Sequence, residues 1–151
     1  MDATIVSINV SNKKGVRKKP VHSVNLKENY GIENDAHASE KWHRQVSLLA
    51  LESIKKMQAK GLKVGPGDFA ENFTTEGIDL VSLPIGTRFT VGDDIEVEVS
   101  QIGKVCHTRC AIYHQAGDCV MPKEGIFVKV LKSGTAKKGD EIKISDKKLK
   151  E

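Results

Sequence analysis

The sequence predicts a mainly β chain, a closed or partly closed barrel of short strands carrying one or two helices. Three observations carry that prediction. Apolar and polar residues alternate in "ATIVSINVS" near the start and in "IEVEVSQI" past the middle, the period of a strand with one buried face. Turn dipeptides (Pro-Gly, Gly-Asp, Gly-Thr) punctuate the chain between Val64 and Gly103. Only "SLLALESIKKMQAKG" has a clear helical period. Many short strands with turn signals favour closure, because a barrel leaves no unpaired edge.

Taken in order, "ATIVSINVS" is the first strand, and a polar loop containing glycine and proline follows to about Pro20. Val21 to Leu26 reads as a second strand, leading into the polar span "GIENDAHASEKWH". The helix is expected to start at Ser47 as N-cap, with apolar residues at Leu48, Leu51, Ile54 and Met57, and to stop at Gly61. "TRFTVGDDIEVEVSQI" reads as a hairpin bending at Gly92-Asp93-Asp94. "GIFVKVLKSG" and "GDEIKI" are the last two strands. No repeat and no linker divides the chain, so 1–151 is expected to be one domain, with a core from about 5 to 144 and a basic tail at 145–151.

Bulk composition narrows the function classes. At 38% hydrophobic and 29% charged residues the chain is of ordinary globular composition rather than disordered. The net charge of +4 is unevenly spread, with basic runs at "NKKGVRKKP" and "SDKKLKE". These read as solvated loops or, alternatively, an anion-binding or partner-docking surface. No aromatic residues interleave them, which argues against nucleic acid. No apolar run has the length of a membrane span, and "MDATIVSINV" is not a signal peptide, so a cytoplasmic location is expected.

Chemistry concentrates in "GKVCHTRCAIYHQAGDCV", which holds all three cysteines and two of the five histidines. An odd number of thiols in a reducing compartment argues against a disulfide framework. A thiolate is a nucleophile and a soft metal ligand, and it can carry a second sulfur as persulfide. Cys106 and Cys110 share a face on either a strand or a helix. Arg109 and His107 stand beside them as groups able to favour thiolate. Structural zinc on Cys106, Cys110, Cys119 and a histidine is the rival, weakened by the lack of a second well-spaced ligand pair.

Four segments in order, "GIENDAHASEKWHRQVSLL", "GPGDFAENFTTEGIDLVSLPIGTRFTVG", "CHTRCAIYHQAGDCVMPKEGIF" and "LKSGTAKKGDEI", resemble the MOSC family, the C-terminal domain of molybdenum-cofactor sulfurases that also occurs as small stand-alone bacterial proteins. "GDFAENFTTEGIDL" is similar to that family's "G-D-F-x-E-N-x-T-T-x-G" signature, and the likeness runs from about Ile5 to Ile144. The resemblance implies a MOSC-type barrel and an association with molybdenum cofactor (molybdopterin) or carried sulfur. It favours Cys110, which follows an arginine, as reactive thiol and metal ligand. Cys106 is second because the spacing here is C-x3-C, and Cys119 is third.

If a phosphate-bearing pterin is the ligand, it needs donors and a cation. Arg109, His37 and Arg44 are candidates, Arg44 because an arginine just ahead of a helix N-terminus suits phosphate. Glu71, Asn72, Thr74 and Thr75 offer hydrogen bonds to a pterin edge, Glu71 also a base or a partner for arginine. The competing reading makes Glu71 and Asn72 a turn at a barrel corner, and the 35–45 span a solvated loop. Arg88 reads as a strand-surface residue and Trp42 as a packing anchor. Three functions stay open: a cofactor binder or sulfur carrier served by a sulfur-donor or cofactor-biosynthesis protein; a molybdenum-dependent reductase of N-hydroxylated compounds with an external electron donor; and a non-catalytic zinc or binding module.

Overall fold

The computed structural model describes residues 3–11, 18–36, 38–69, 71–103 and 124–146. The first strand, β1 (Ala3–Val10), is followed by β2 (Lys19–Val21), β3 (Ser23–Lys27), β4 (Gly31–Ile32) and β5 (Val46–Ala50). Helix α1 (Leu51–Ala59) leads to β6 (Phe73–Glu76) and a 3-10 turn at Leu80–Ser82. β7 (Arg88–Val91), β8 (Ile95–Ile102), β9 (Ile126–Lys132), β10 (Gly134–Lys137) and β11 (Glu141–Asp146) complete the order.

Seven strands close on themselves in the order β1-β6-β5-β9-β8-β7-β11, with β11 returning to pair with β1. This is the expected barrel. β2 extends the sheet along β1, while β10, β3 and β4 form a separate small sheet. The predicted hairpin is present, with Val91 opposite Ile95 across the Gly92 bend. The expected strand from Val21 to Leu26 is instead interrupted at His22, and its two parts join different sheets.

Alternation fills the barrel. Ile95, Val97 and Val99 of β8 and Ile126, Val128 and Val130 of β9 point inward, joined by Val46, Leu48, Phe73 and Phe89. Leu80 and Leu83 from the 3-10 turn join the same cluster. A second cluster lies outside the wall, where Ile54 and Met57 of α1 pack on Leu49, Val64, Phe69 and Phe127. Each such side chain, fully buried, contributes about 1.5–3 kcal/mol.

One sequence expectation is corrected here. Ser47 is not the N-cap of the helix: Val46–Ala50 is a strand, and α1 begins only after Ala50, which makes no side-chain cap bond. β5 is buried along its whole length because the barrel covers one face and α1 the other. A strand buried on both sides shows no alternation, and here it runs straight into a helix. β5, α1 and β6 form a β-α-β unit whose two strands are the parallel pair of the described barrel. The expected stop at Gly61 holds, with φ of +91° just past Lys60. Among the described residues, no helix is long and apolar enough to cross a membrane.

Candidate functional site

Cys106, Cys110, Cys119, His107, Arg109 and His114 lie outside the described residues, as does His37. The two stems of the cysteine-bearing span are described, and each is fastened to a neighbouring element. At the first, the Gly103 N–H donates to the Gly125 carbonyl at 2.6 Å, closing β8 against the start of β9. Gln101 Nε2 donates to the Gly103 carbonyl at 2.8 Å, and its Oε1 lies 2.8 Å from His43 Nε2. At the second stem, the Glu124 carboxylate accepts from Ser53 Oγ at 2.6 Å and Lys56 Nζ at 3.0 Å. The first stem is thus tied to the loop before β5, the second to α1.

That loop carries Arg44, and its placement corrects the expected one. Arg44 is not ahead of a helix, since β5 intervenes. Its guanidinium sits 4.6 Å from the Trp42 ring and 5.6 Å from the Phe127 ring, a half-buried cation over two aromatic faces. Trp42 is therefore a loop anchor that also seats a cation. Among the described residues no carboxylate pairs with Arg44, so its fork of donors remains available to an anion. Arg88 is a strand-surface residue as expected, 3.5 Å from Glu98.

Glu71, Asn72 and Thr74 come together on the same outer wall, next to Ser47 of β5, the register partner of Phe127. Asn72 Oδ1 accepts from the Ser47 N–H at 3.0 Å and from Ser47 Oγ at 3.2 Å, while its Nδ2 donates to the Asn9 carbonyl at 3.1 Å. The amide stitches β5 to β1 through the buried gap where β6 begins. A directional chain runs alongside. Ser7 Oγ donates to Asn9 Oδ1 (2.8 Å), Asn9 Nδ2 to Thr74 Oγ1 (3.2 Å), and Thr74 Oγ1 to Glu71 Oε2 (2.7 Å). Thr75, on the opposite face of β6, is fully buried, and its hydroxyl has no partner among the described residues.

Glu71 ends that chain. Burial pushes its carboxyl above the ordinary value; the Thr74 hydroxyl and the backbone groups of Gly67, Phe69 and Glu71 itself pull the other way. Its second oxygen, Oε1, has no hydrogen-bond partner among the described residues.

Two further features were not singled out in the sequence. Lys18, inside a basic run, is buried, with Nζ 2.8 Å from Asp35 Oδ1, and that same oxygen accepts the Ser11 N–H at 3.0 Å. Gly67 has φ of +90° and accepts the Lys18 N–H on its carbonyl at 2.8 Å. A Cβ there would stand 2.3 Å from the Lys18 carbonyl oxygen. The outward polar positions Ser7 and Asn9 in "ATIVSINVS" were visible as alternation, yet alternation cannot distinguish a buried network from a wet face.

A family model described as "MOSC domain" matches residues 21–143. Solved structures share the fold. The YuaD protein from Bacillus subtilis has TM-score 0.80 at 18% identity, over 98% of this chain and 98% of that one. YiiM from Geobacillus stearothermophilus has TM-score 0.70 at 24% identity, over 95% of this chain and 75% of that one. YiiM from Escherichia coli has TM-score 0.72 at 15% identity, over 99% and 72%. No curated protein matches the chain in sequence comparison.

Proposed function

Because the chain belongs to the MOSC domain family, which is associated with molybdenum-cofactor proteins, we propose that it binds molybdenum cofactor or carries sulfur for it. The reactive thiol in this reading is Cys110, with Cys106 the alternative. The observation that supports the proposal is the link from the Arg44 loop to Gly103, the stem just before the cysteine-bearing span, through His43 and Gln101. Arg44, which has no carboxylate partner among the described residues, and the stem from which the cysteine-bearing span departs then share one end of the barrel wall.

The donor set suits a pterin phosphate. Arg44 offers a planar fork to a phosphate, and Trp42 and Phe127 limit the directions in which the guanidinium can point. Glu71, whose carboxyl is raised above its ordinary value by burial, offers Oε1 to a ligand, with Thr74 fixing the carboxyl plane. Asn72 holds the wall that carries both. Arg109 and His37 are further candidate donors on this reading. Bound cofactor would supply a redox-active molybdenum centre. The chain's own contribution is to bind, orient and offer a thiolate.

In the sulfur-carrying version, the Cys110 thiolate attacks the outer sulfur of a donor protein's persulfide. The S–S bond of the donor breaks, the donor leaves as thiolate, and Cys110 holds the transferred sulfur. No net oxidation occurs. Elemental analysis of protein purified anaerobically from a host that makes the cofactor tests the proposal, with wild type beside Cys110→Ala. Molybdenum in the wild type and none in the variant supports Cys110 as ligand; equal content moves the role to Cys106. Zinc in place of molybdenum favours the structural metal site and defeats the cofactor reading. Absence of metal together with a Cys110-dependent persulfide mass supports carriage alone.

A further inference from the structure

A cleft of about 330 Å³ opens between the start of α1 and the turn Gly77–Val81, and its lining includes neither Arg44 nor Glu71. Its volume falls within the range of small-molecule sites. The floor is apolar: Ala50 and Leu80 belong to the barrel core, and Ile78 packs against that core. Val81 at the mouth is 36% exposed, one of four large apolar side chains on the described surface.

The charged lining is net negative. Among the described residues, Glu52, Asp79 and Glu124 face the cleft against one cation, Lys56, although the whole chain carries a net +4. Lys56 is already paired with Glu124, which also accepts from Ser53. Glu52 accepts the Gly77 N–H at 3.2 Å, a bond that leaves its charge in place. Asp79 makes no ion pair among the described residues. An apolar floor beneath two uncompensated carboxylates excludes anions and suits a small hydrophobic body bearing one cationic nitrogen.

We infer that this cleft is a second binding site, taking a small apolar molecule with a single protonated amine. The inference is independent of cofactor or sulfur chemistry, because no residue it uses belongs to the Arg44 or Glu71 groups. The site nevertheless includes the second stem, since Glu124 follows directly after 104–123 in the chain. A bound amine would rest against that stem.

The test is titration of isotopically labelled full-length protein with benzylamine, benzyl alcohol and benzoate, followed by amide chemical shifts. Benzylammonium is expected to shift Glu52, Ser53 and Gly77–Val81 saturably, to bind about fivefold more tightly than benzyl alcohol, and benzoate to leave them unmoved. E52Q/D79N, which keeps shape and the Gly77 acceptor, should remove the preference for the amine. V81R, at an exposed position, should block benzylammonium and benzyl alcohol without disturbing the rest of the spectrum. Equal affinity for amine and alcohol, no saturable shift at these residues, or an amine preference that survives E52Q/D79N would each overturn the inference.

Discussion

Lys18 Nζ meets Asp35 Oδ1 at 2.8 Å with the two side chains 1% and 0% exposed. The same carboxylate oxygen accepts the Ser11 N–H, so one atom fastens both chain positions that flank residues 12–17. Two charges leave water to make this contact, so the pair itself adds little net stability, whereas removing one partner takes a buried charged contact from the other. K18M is therefore expected to destabilise the fold by about 3–5 kcal/mol. K18M/D35N should recover part of that loss, because asparagine can still accept from Ser11 and carries no charge. Urea unfolding of the three variants beside wild type measures it. A loss in K18M of less than about 1 kcal/mol, typical of a surface pair, would contradict the buried reading.

The carboxyl of Glu71 gives a pH dependence whose sign follows from burial. Its folded pKa is raised above the ordinary value of 4.5, so the folded chain binds a proton more tightly than the unfolded one. Its contribution to stability is complete below the ordinary value and is lost as pH rises through the raised one. Wild-type stability should thus fall as pH climbs above the usual carboxylate range, and E71Q should flatten that segment of the profile. Denaturant midpoints across that range, wild type against E71Q, decide it. Parallel profiles would mean that Glu71 is charged in the fold.

Much of the barrel was legible because alternation survives wherever one face is covered and the other is wet. Ile95 to Ile102 and the Gly92 bend are read correctly for that reason. Val46–Ala50 was not, since α1 covers its outer face and erases the period that marks a strand. The helical spacing of the residues after it then drew Ser47 into a capping role it does not have. Within the candidate site, Glu71, Asn72 and Thr74 were found through their motif, and the structure gathers them on one wall. Lys18 escaped notice because a lysine in "NKKGVRKKP" carries no local sign that its ammonium is buried. Its partner lies 17 residues on, a pairing that sequence period cannot report.

Gly67 is fixed by two independent constraints, a φ of +90° and an approach of 2.3 Å between a built Cβ and the Lys18 carbonyl. Relaxing one does not relax the other. G67A is expected to cost about 1–3 kcal/mol, the range for a strained backbone held by its surroundings, and to loosen the Lys18 N–H bond to Gly67. Hydrogen exchange at the Lys18 amide reads this directly. Faster exchange there, with β8 and β9 amides still protected, is the expected pattern; an unchanged Lys18 rate would show that the loop absorbs the methyl.

Arg44 separates charge from shape. Stacked over Trp42 and Phe127, its guanidinium can form two parallel bonds to a phosphate, while a lysine at the same place keeps the charge but neither the fork nor the ring contact. If the cofactor phosphate binds there, R44K loses one charge-assisted bond, about 1.5 kcal/mol or about tenfold in affinity. Thermal melting should change little, because the side chain is half-buried and makes only ring contacts, with no hydrogen bond or ion pair among the described residues. Molybdenum per chain after reconstitution over a range of cofactor concentrations measures the difference. A tenfold shift in half-loading with an unchanged melt supports phosphate recognition by Arg44; equal loading with an altered melt would make it a packing residue for Trp42.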